Sequence, residues 1–190
     1  FNTVSQGHPV RESISTPEIA STISDLQLLT AKPVLYVANV NEDALTQETS
    51  ALKSIREYAL SDKSKFLVLC GQIEAEIAQL PQQDRKDFLT SMDLSEPGLD
   101  ILAREMYALL GLQTFFTVSK KENHAWTIPI GTHAQKAAGI IHTDFERGFI
   151  AVEAYTLLDL EEYTSEQKLR SAGKIRLEGR DYSVQDGDIL

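Results

Sequence analysis

Four consecutive residues, Asn39-Val40-Asn41-Glu42, place side-chain amides and a carboxylate directly after the apolar run 33–38. A side-chain amide can donate to and accept from the polar edge of a purine base, and a carboxylate can accept from it. In an open parallel sheet, ligands bind beyond the carboxyl ends of the strands, where this segment would lie. The pattern predicts a base contact through Asn39, Val40 and Glu42. The same side chains are also suited to capping the turn and the next helix, and the sequence leaves that alternative open.

The Glu42 carboxylate affects which purine base the loop can recognise. Guanine-nucleotide switch proteins carry Asn-Lys-x-Asp in such a loop, and the Asp accepts hydrogen bonds from guanine N1–H and the 2-amino group. Here Val40 stands in place of the Lys, and Glu42 in place of the Asp. The longer carboxylate does not reach the same position, and adenine lacks both of those donors. Because a site loses discrimination when its specific acceptor moves, we predict weakened guanine preference and acceptance of ATP.

A second loop, Cys70-Gly71, ends the next buried run, 66–70. Backbone amides at such a position approach the base, and Gly permits that approach because it has no side chain. We therefore include Cys70 and Gly71 in the predicted base site. The alternative for Cys70 is a small core residue.

A cluster of basic residues near the C-terminal end could meet RNA phosphates. Its alternative is a solvated face, and the acidic residues Asp159, Glu161 and Glu162 lower the local potential. The predicted RNA-contacting residues are Lys168, Arg170, Lys174, Arg176 and Arg180.

Other reactive side chains do not form a pattern that specifies chemistry. His142 and Asp144 could suggest a small separate enzyme, but a turn in which His142 bonds to the backbone is the favoured interpretation. The spacing of His124, His133 and His142 does not match a metal site. No Gly-x-x-x-x-Gly-Lys-Ser/Thr motif occurs. We therefore predict no catalytic or metal residue, and no nucleotide hydrolysis by this chain alone.

The elements around these residues alternate between strands and helices. Buried runs at 33–39 and 66–70 read as parallel strands, and helical spacing follows at 48–60, 73–80, 82–92 and 98–110. This order predicts an α/β fold. After Leu112 the pattern changes to predicted strands at 115–118, 125–130, 149–154 and 180–184, with helices at 134–141 and 165–172, typical of a small α+β domain.

Composition limits the function classes. The chain has 190 residues, a net charge of −10 and a single cysteine, Cys70. The acidic balance argues against broad capture of nucleic acid, and no sequence-specific DNA binding is predicted. A lone cysteine fits the reducing cytoplasm, and no apolar run is long enough for a membrane span.

Longer motifs carry a resemblance to a known family. The run from Leu29 to Asp43 resembles the base-binding strand of YchF, or Obg-like, ATPases, which are P-loop nucleotide-binding proteins. Segments 125–128, 137–139, 141–150 and 181–188, which read AWTI, AAG, IHTDFERGFI and DYSVQDGD, resemble that family's TGS domain.

The resemblance implies a layout and a function. Residues 1–30 would end a helical insertion, 31–112 would be the C-terminal part of the P-loop NTPase sheet, and 113–190 would be a β-grasp TGS domain. The intact protein would bind ATP, or GTP more poorly, with Mg²⁺, hydrolyse ATP and associate with the ribosome, and so with ribosomal RNA. This chain would carry the base-recognition loop without the phosphate-binding loop. The alternative is a TGS module that binds RNA or the ribosome without any nucleotide.

Overall fold

The structure, a computed structural model, describes residues 2–119 and 121–190, and it divides into two compact units, 1–110 and 111–190. The boundary lies close to residue 113, where the C-terminal domain is predicted to begin. The further division of the first unit at residue 30 stays a prediction.

The first unit contains a parallel pair of strands, β1 (Leu35–Asn39) and β2 (Lys65–Leu69). The register pairs Leu35 with Lys65 and Asn39 with Leu69, so both strands end at the same edge. Two 3₁₀ turns lie at Val10–Ser13 and Leu29–Ala31. The helices are α1 (Asn2–Ser5), α2 (Pro17–Ser24), α3 (Asp43–Thr46), α4 (Ser50–Ser61), α5 (Gly71–Gln79), α6 (Gln82–Ser91) and α7 (Gly98–Leu110).

Local sequence explains how α4 connects the two strands. Thr49 caps the helix, because its hydroxyl accepts from the Leu52 amide at 3.2 Å. Leu52 and Ala59 are buried on one side of the helix, as expected for an amphipathic crossover. The result is a strand–helix–strand unit that brings the residues after β1 beside those after β2.

The second unit is a mixed five-stranded sheet in the order β4-β3-β7-β5-β6. Strand β7 runs parallel to β3, and the other neighbours are antiparallel. The strands are β3 (Leu112–Val118), β4 (Asn123–Pro129), β5 (Val152–Thr156), β6 (Arg176–Glu178) and β7 (Asp188–Ile189). The helices are α8 (Ala134–Ile141), α9 (Thr143–Arg147), α10 (Leu157–Tyr163) and α11 (Glu166–Ser171).

Neighbouring residues of β3 supply two different cores, because successive side chains point to opposite faces of a sheet. Phe115 is fully buried in a cluster with Ile128 and Ala137 of α8. Phe116 packs instead against the cluster of Tyr155, Leu169 and Ile189. Helices therefore cover both faces of this sheet.

The prediction of a mixed α/β fold is confirmed, but two predicted strands are wrong in their bounds. Residues 180–184 are not a strand; the sheet instead uses β6, which pairs with β5. The Arg180 guanidinium donates to the Phe149 carbonyl at 3.2 Å, and this segment makes one isolated bridge, at Ser183. Strand β5 begins at Val152 rather than 149, since Phe149 enters the core before the strand starts. No helix in residues 2–119 or 121–190 could cross a membrane.

Candidate functional site

The ends of β1 and β2 bring the two predicted base loops together. The Val40 amide donates to the Leu69 carbonyl at 2.9 Å, which extends the strand pairing beyond Asn39. The next residues along β2 are Cys70 and Gly71. Asn39, Val40, Cys70 and Gly71 therefore meet at one edge of the strand pair, where an open α/β sheet binds ligands.

A side-chain hydrogen bond joins the loops. The Gly71 amide donates to Asn39 Oδ1 at 2.9 Å. A Cβ atom added at Gly71 would lie 3.3 Å from the same oxygen, tighter than ordinary van der Waals contact. Gly71 therefore permits this close approach, and the bond fixes the Asn39 amide plane while its NH₂ group retains two donors.

Glu42 follows Asn39 by three positions and directly precedes α3. It is exposed, and its side chain makes no cap hydrogen bond to that helix. Asn39 bonds to Gly71 rather than to the turn that follows it. Neither side chain therefore caps α3, and Asn39 instead accepts from the first amide of α5. The role of Asn39 and Glu42 in base binding stays a prediction.

The side chain of Cys70 packs in a hydrophobic cluster. It is 3% exposed and lies in a cluster with Ile73, Ile77 and Leu89. The interpretation of its sulfur as a core group is confirmed. Only the backbone of Cys70 is left as a predicted contact of the base loop.

A buried carboxylate that the sequence did not reveal lies next to the site. Glu74, in the first turn of α5, is 7% exposed. Its oxygens accept from the amides of Gly98 at 2.7 Å and Leu99 at 3.1 Å, both at the start of α7. The available signal was an acidic residue between the buried apolar residues Ile73 and Ile77.

A further carboxylate, that of Asp62, lies beyond the opposite end of the strand pair, and its side chain is 7% exposed. Its oxygens accept from Arg11 at 2.6 and 2.7 Å, from Tyr36 of β1 at 2.9 Å and from Ser64 at 2.7 Å. The bonds from Ser64 and Arg11 lower the pKa of the Asp62 carboxyl. This cluster could not be predicted from the sequence, because Arg11 and Tyr36 lie 51 and 26 positions from Asp62.

Carboxylates and carbonyls already engage much of the predicted basic strip. Arg170 bonds Glu153 at 2.6 Å and lowers the pKa of that carboxyl. Lys174 lies 3.3 Å from Asp159, and Arg176 bonds the buried Asp188 at 3.1 Å. Arg180 is held by the Phe149 carbonyl, and Lys168 donates to the Thr164 hydroxyl at 2.9 Å. These pairings lower the positive charge available to phosphates, and the RNA contact stays a prediction.

His142 caps a helix. Its Nδ1 accepts from the Asp144 amide at 3.2 Å at the start of α9. The interpretation of His142 as part of a turn network is therefore confirmed. Across residues 2–119 and 121–190, no three His, Cys, Asp or Glu side chains cluster as metal ligands would.

A family model and several known proteins are similar to this chain. A family model described as "YchF-GTPase_C: Protein of unknown function" matches residues 112–190. The chain is 45% identical over 173 residues to the "Ribosome-binding ATPase YchF" of Escherichia coli O157:H7, covering 91% of this chain and 47% of that protein. It is 44% identical over 184 residues to the protein of the same name from Bacillus subtilis, covering 96% and 50%. The chain thus spans about half the length of the curated relatives it matches.

A solved structure is also similar. The Schizosaccharomyces pombe YchF GTPase superposes with a TM-score of 0.85 at 30% identity, covering 97% of this chain and 50% of that one. A GTP-binding protein from Pyrococcus horikoshii shares the fold at a TM-score of 0.54 and 18% identity.

Proposed function

The chain belongs to the YchF family, and we propose that it forms part of a ribosome-associated, nucleotide-binding protein. Asn39, Val40, Glu42, Cys70 and Gly71 form the base-reading side of a purine-nucleotide site. The observation that carries this proposal is the Asn39–Gly71 hydrogen bond, which joins the two loops at the carboxyl ends of adjacent parallel strands.

The chemistry of the site favours a purine. With Oδ1 engaged by Gly71, the NH₂ group of Asn39 is available to donate to purine N7. N7 is an acceptor in both adenine and guanine, so Asn39 reads a purine without choosing between the two. Glu42 instead discriminates between adenine and guanine, because its exposed carboxylate makes no cap hydrogen bond to α3. ATP is accepted because nothing in this loop requires the donors that guanine alone offers.

Hydrolysis belongs to the longer protein. Relatives about twice as long carry the name ATPase, and the 190 residues contain no Gly-x-x-x-x-Gly-Lys-Ser/Thr loop. We assign the phosphate contacts and the Mg²⁺ that accompanies ATP to no residue of this chain. Residues 31–112 are the end of a P-loop NTPase sheet in this proposal, and residues 1–30 the end of a helical insertion.

Exchanging Glu42 for Asp in a protein of full family length tests the specificity. The shorter carboxylate restores the length that guanine-reading sites use, so the Kd ratio of GTP to ATP should fall by about tenfold, or about 1.4 kcal/mol. Isothermal titration with both nucleotides measures it. Glu76→Asp, on exposed α5 surface, is the matched control and should leave the ratio unchanged. An unchanged ratio in Glu42→Asp would refute the role of Glu42.

A second candidate function rests on the second unit. The family model matches residues 112–190 alone, and this unit has cores of its own. We propose that it is a β-grasp TGS domain that contacts the ribosome, and ribosomal RNA within it, in the cytoplasm. As a nucleotide-independent module it would bind ribosomes without the first unit, which co-sedimentation can test.

A further inference from the structure

The carboxylate of Glu74 connects two helices next to the proposed base site. It belongs to the same first turn of α5 as Gly71. Its two oxygens accept from the Gly98 and Leu99 amides, which open α7. Those amides have no partner within their own helix, and a negative charge at a helix N-terminus is favourable. The bond pair therefore fixes α5 and α7 relative to one another.

The start of α7 also lies against the end of β2. A Cβ atom added at Gly98 would come within 2.9 Å of Glu74 Oε1 and 3.1 Å of the Leu69 Cβ. Leu69 is the residue that pairs with Asn39. Gly98 thus lies where the last residue of β2 and the first turn of α5 meet, and a side chain at this position would displace the Glu74 carboxylate.

We propose that Glu74 is a positioning residue of the base site. It holds the first turn of α5 so that the Gly71 amide stays 2.9 Å from Asn39 Oδ1, and it thereby orients the NH₂ group of Asn39 toward the base. Glu74 does not touch the nucleotide in this arrangement, and its effect passes through Gly71 and Asn39. The inference rests on the proposed function of the Asn39 loop.

Glu74→Gln in a full-length family protein is the direct test. Glutamine keeps the size of the side chain, but it loses the charge and turns an NH₂ group toward an amide donor. We expect the affinity for ATP to fall about tenfold, which corresponds to about 1.4 kcal/mol. Inorganic triphosphate has no base, so its affinity should not change. Titration of both ligands gives the comparison.

Two further variants separate positioning from folding. Gly98→Ala pushes on the Glu74 carboxylate without altering it and should cause the same selective loss for ATP, so it serves if Glu74→Gln does not fold. Leu52→Ala removes a buried side chain of α4 and costs about 2–5 kcal/mol of stability. It should leave the affinity for ATP relative to triphosphate unchanged.

Each other outcome overturns the inference. Unchanged ATP affinity in a folded Glu74→Gln protein, parallel losses for ATP and triphosphate, or an equal selective loss in Leu52→Ala would show that Glu74 only stabilises the fold. Asn39→Ala keeps this failure distinct from failure of the base site itself. If Asn39→Ala weakens ATP binding while Glu74→Gln does not, the base site stands and the role of Glu74 falls.

Discussion

Asn39 and Gly71 lie 32 positions apart and meet through a single hydrogen bond. The sequence could predict their proximity, because each follows an apolar run and parallel strands of one sheet end at a common edge. The sequence could not predict Glu74 or Asp62. A carboxylate is recognised as buried only when its partners are known, and the Arg11 partner of Asp62 lies 51 positions away.

Residue types alone could not predict how the basic residues near the C-terminal end are paired. A run of five basic residues reads as a phosphate-binding strip, yet folding places Glu153, Asp159 and Asp188 against three of them. The partners come from β5, α10 and β7, so no local window of sequence contains the whole arrangement. The surface potential of a basic segment therefore cannot be predicted until the acidic residues that fold against it are known.

At the scale of elements, periodicity predicted most of the framework. Helices α7 and α8 have the predicted bounds, because their apolar faces and their Gly and turn boundaries are strong signals. Helices α9 and α10 are too short to show a period and were not predicted. The predicted strand at 180–184 is wrong, since tertiary contacts of Arg180 and Val184 outweigh local alternation.

The Asp62 cluster ties together three elements: the Val10–Ser13 turn, β1 and the end of α4. We expect Asp62→Asn to lower the melting temperature at pH 7, because its charged bonds with Arg11 are lost. The folded-state pKa of Asp62 is lower than its usual 3.8. Its stabilisation is therefore present above that value and is lost as the pH falls through the folded-state pKa.

Thermal unfolding across pH 2–7, monitored by circular dichroism, tests this. The difference in melting temperature between wild type and Asp62→Asn should become smaller below about pH 4. Glu48→Gln removes an exposed partner of Arg56 and should change the melting temperature little. A gap that stays constant down to pH 2 would mean that the charge of Asp62 does not stabilise the fold.

The whole molecule consists of two units with separate cores. The net charge argued against broad capture of nucleic acid, and long motifs predicted the family. Neither observation could predict the sheet order β4-β3-β7-β5-β6. The pairing of strands that are distant in the chain depends on which side chains are buried against the other elements.

The proposed binding to the ribosome is tested at the scale of the whole molecule. We expect residues 1–190 to co-sediment with ribosomes without nucleotide, and to be released as salt rises because phosphate contacts release counterions. Lys168→Glu should shift the release to lower salt, whereas Lys53→Glu on α4 should not. Absence of co-sedimentation by the folded chain would contradict nucleotide-independent docking by the second unit.

The central claim is that the loops after β1 and β2 read a purine base. The most direct measurement is the ATP affinity of Asn39→Ala in a full-length family protein, with Asn41→Ala as the matched control. We predict at least a tenfold loss for Asn39→Ala, or about 1.4 kcal/mol, and little change for Asn41→Ala. Equal ATP affinity in Asn39→Ala and wild type would contradict the claim.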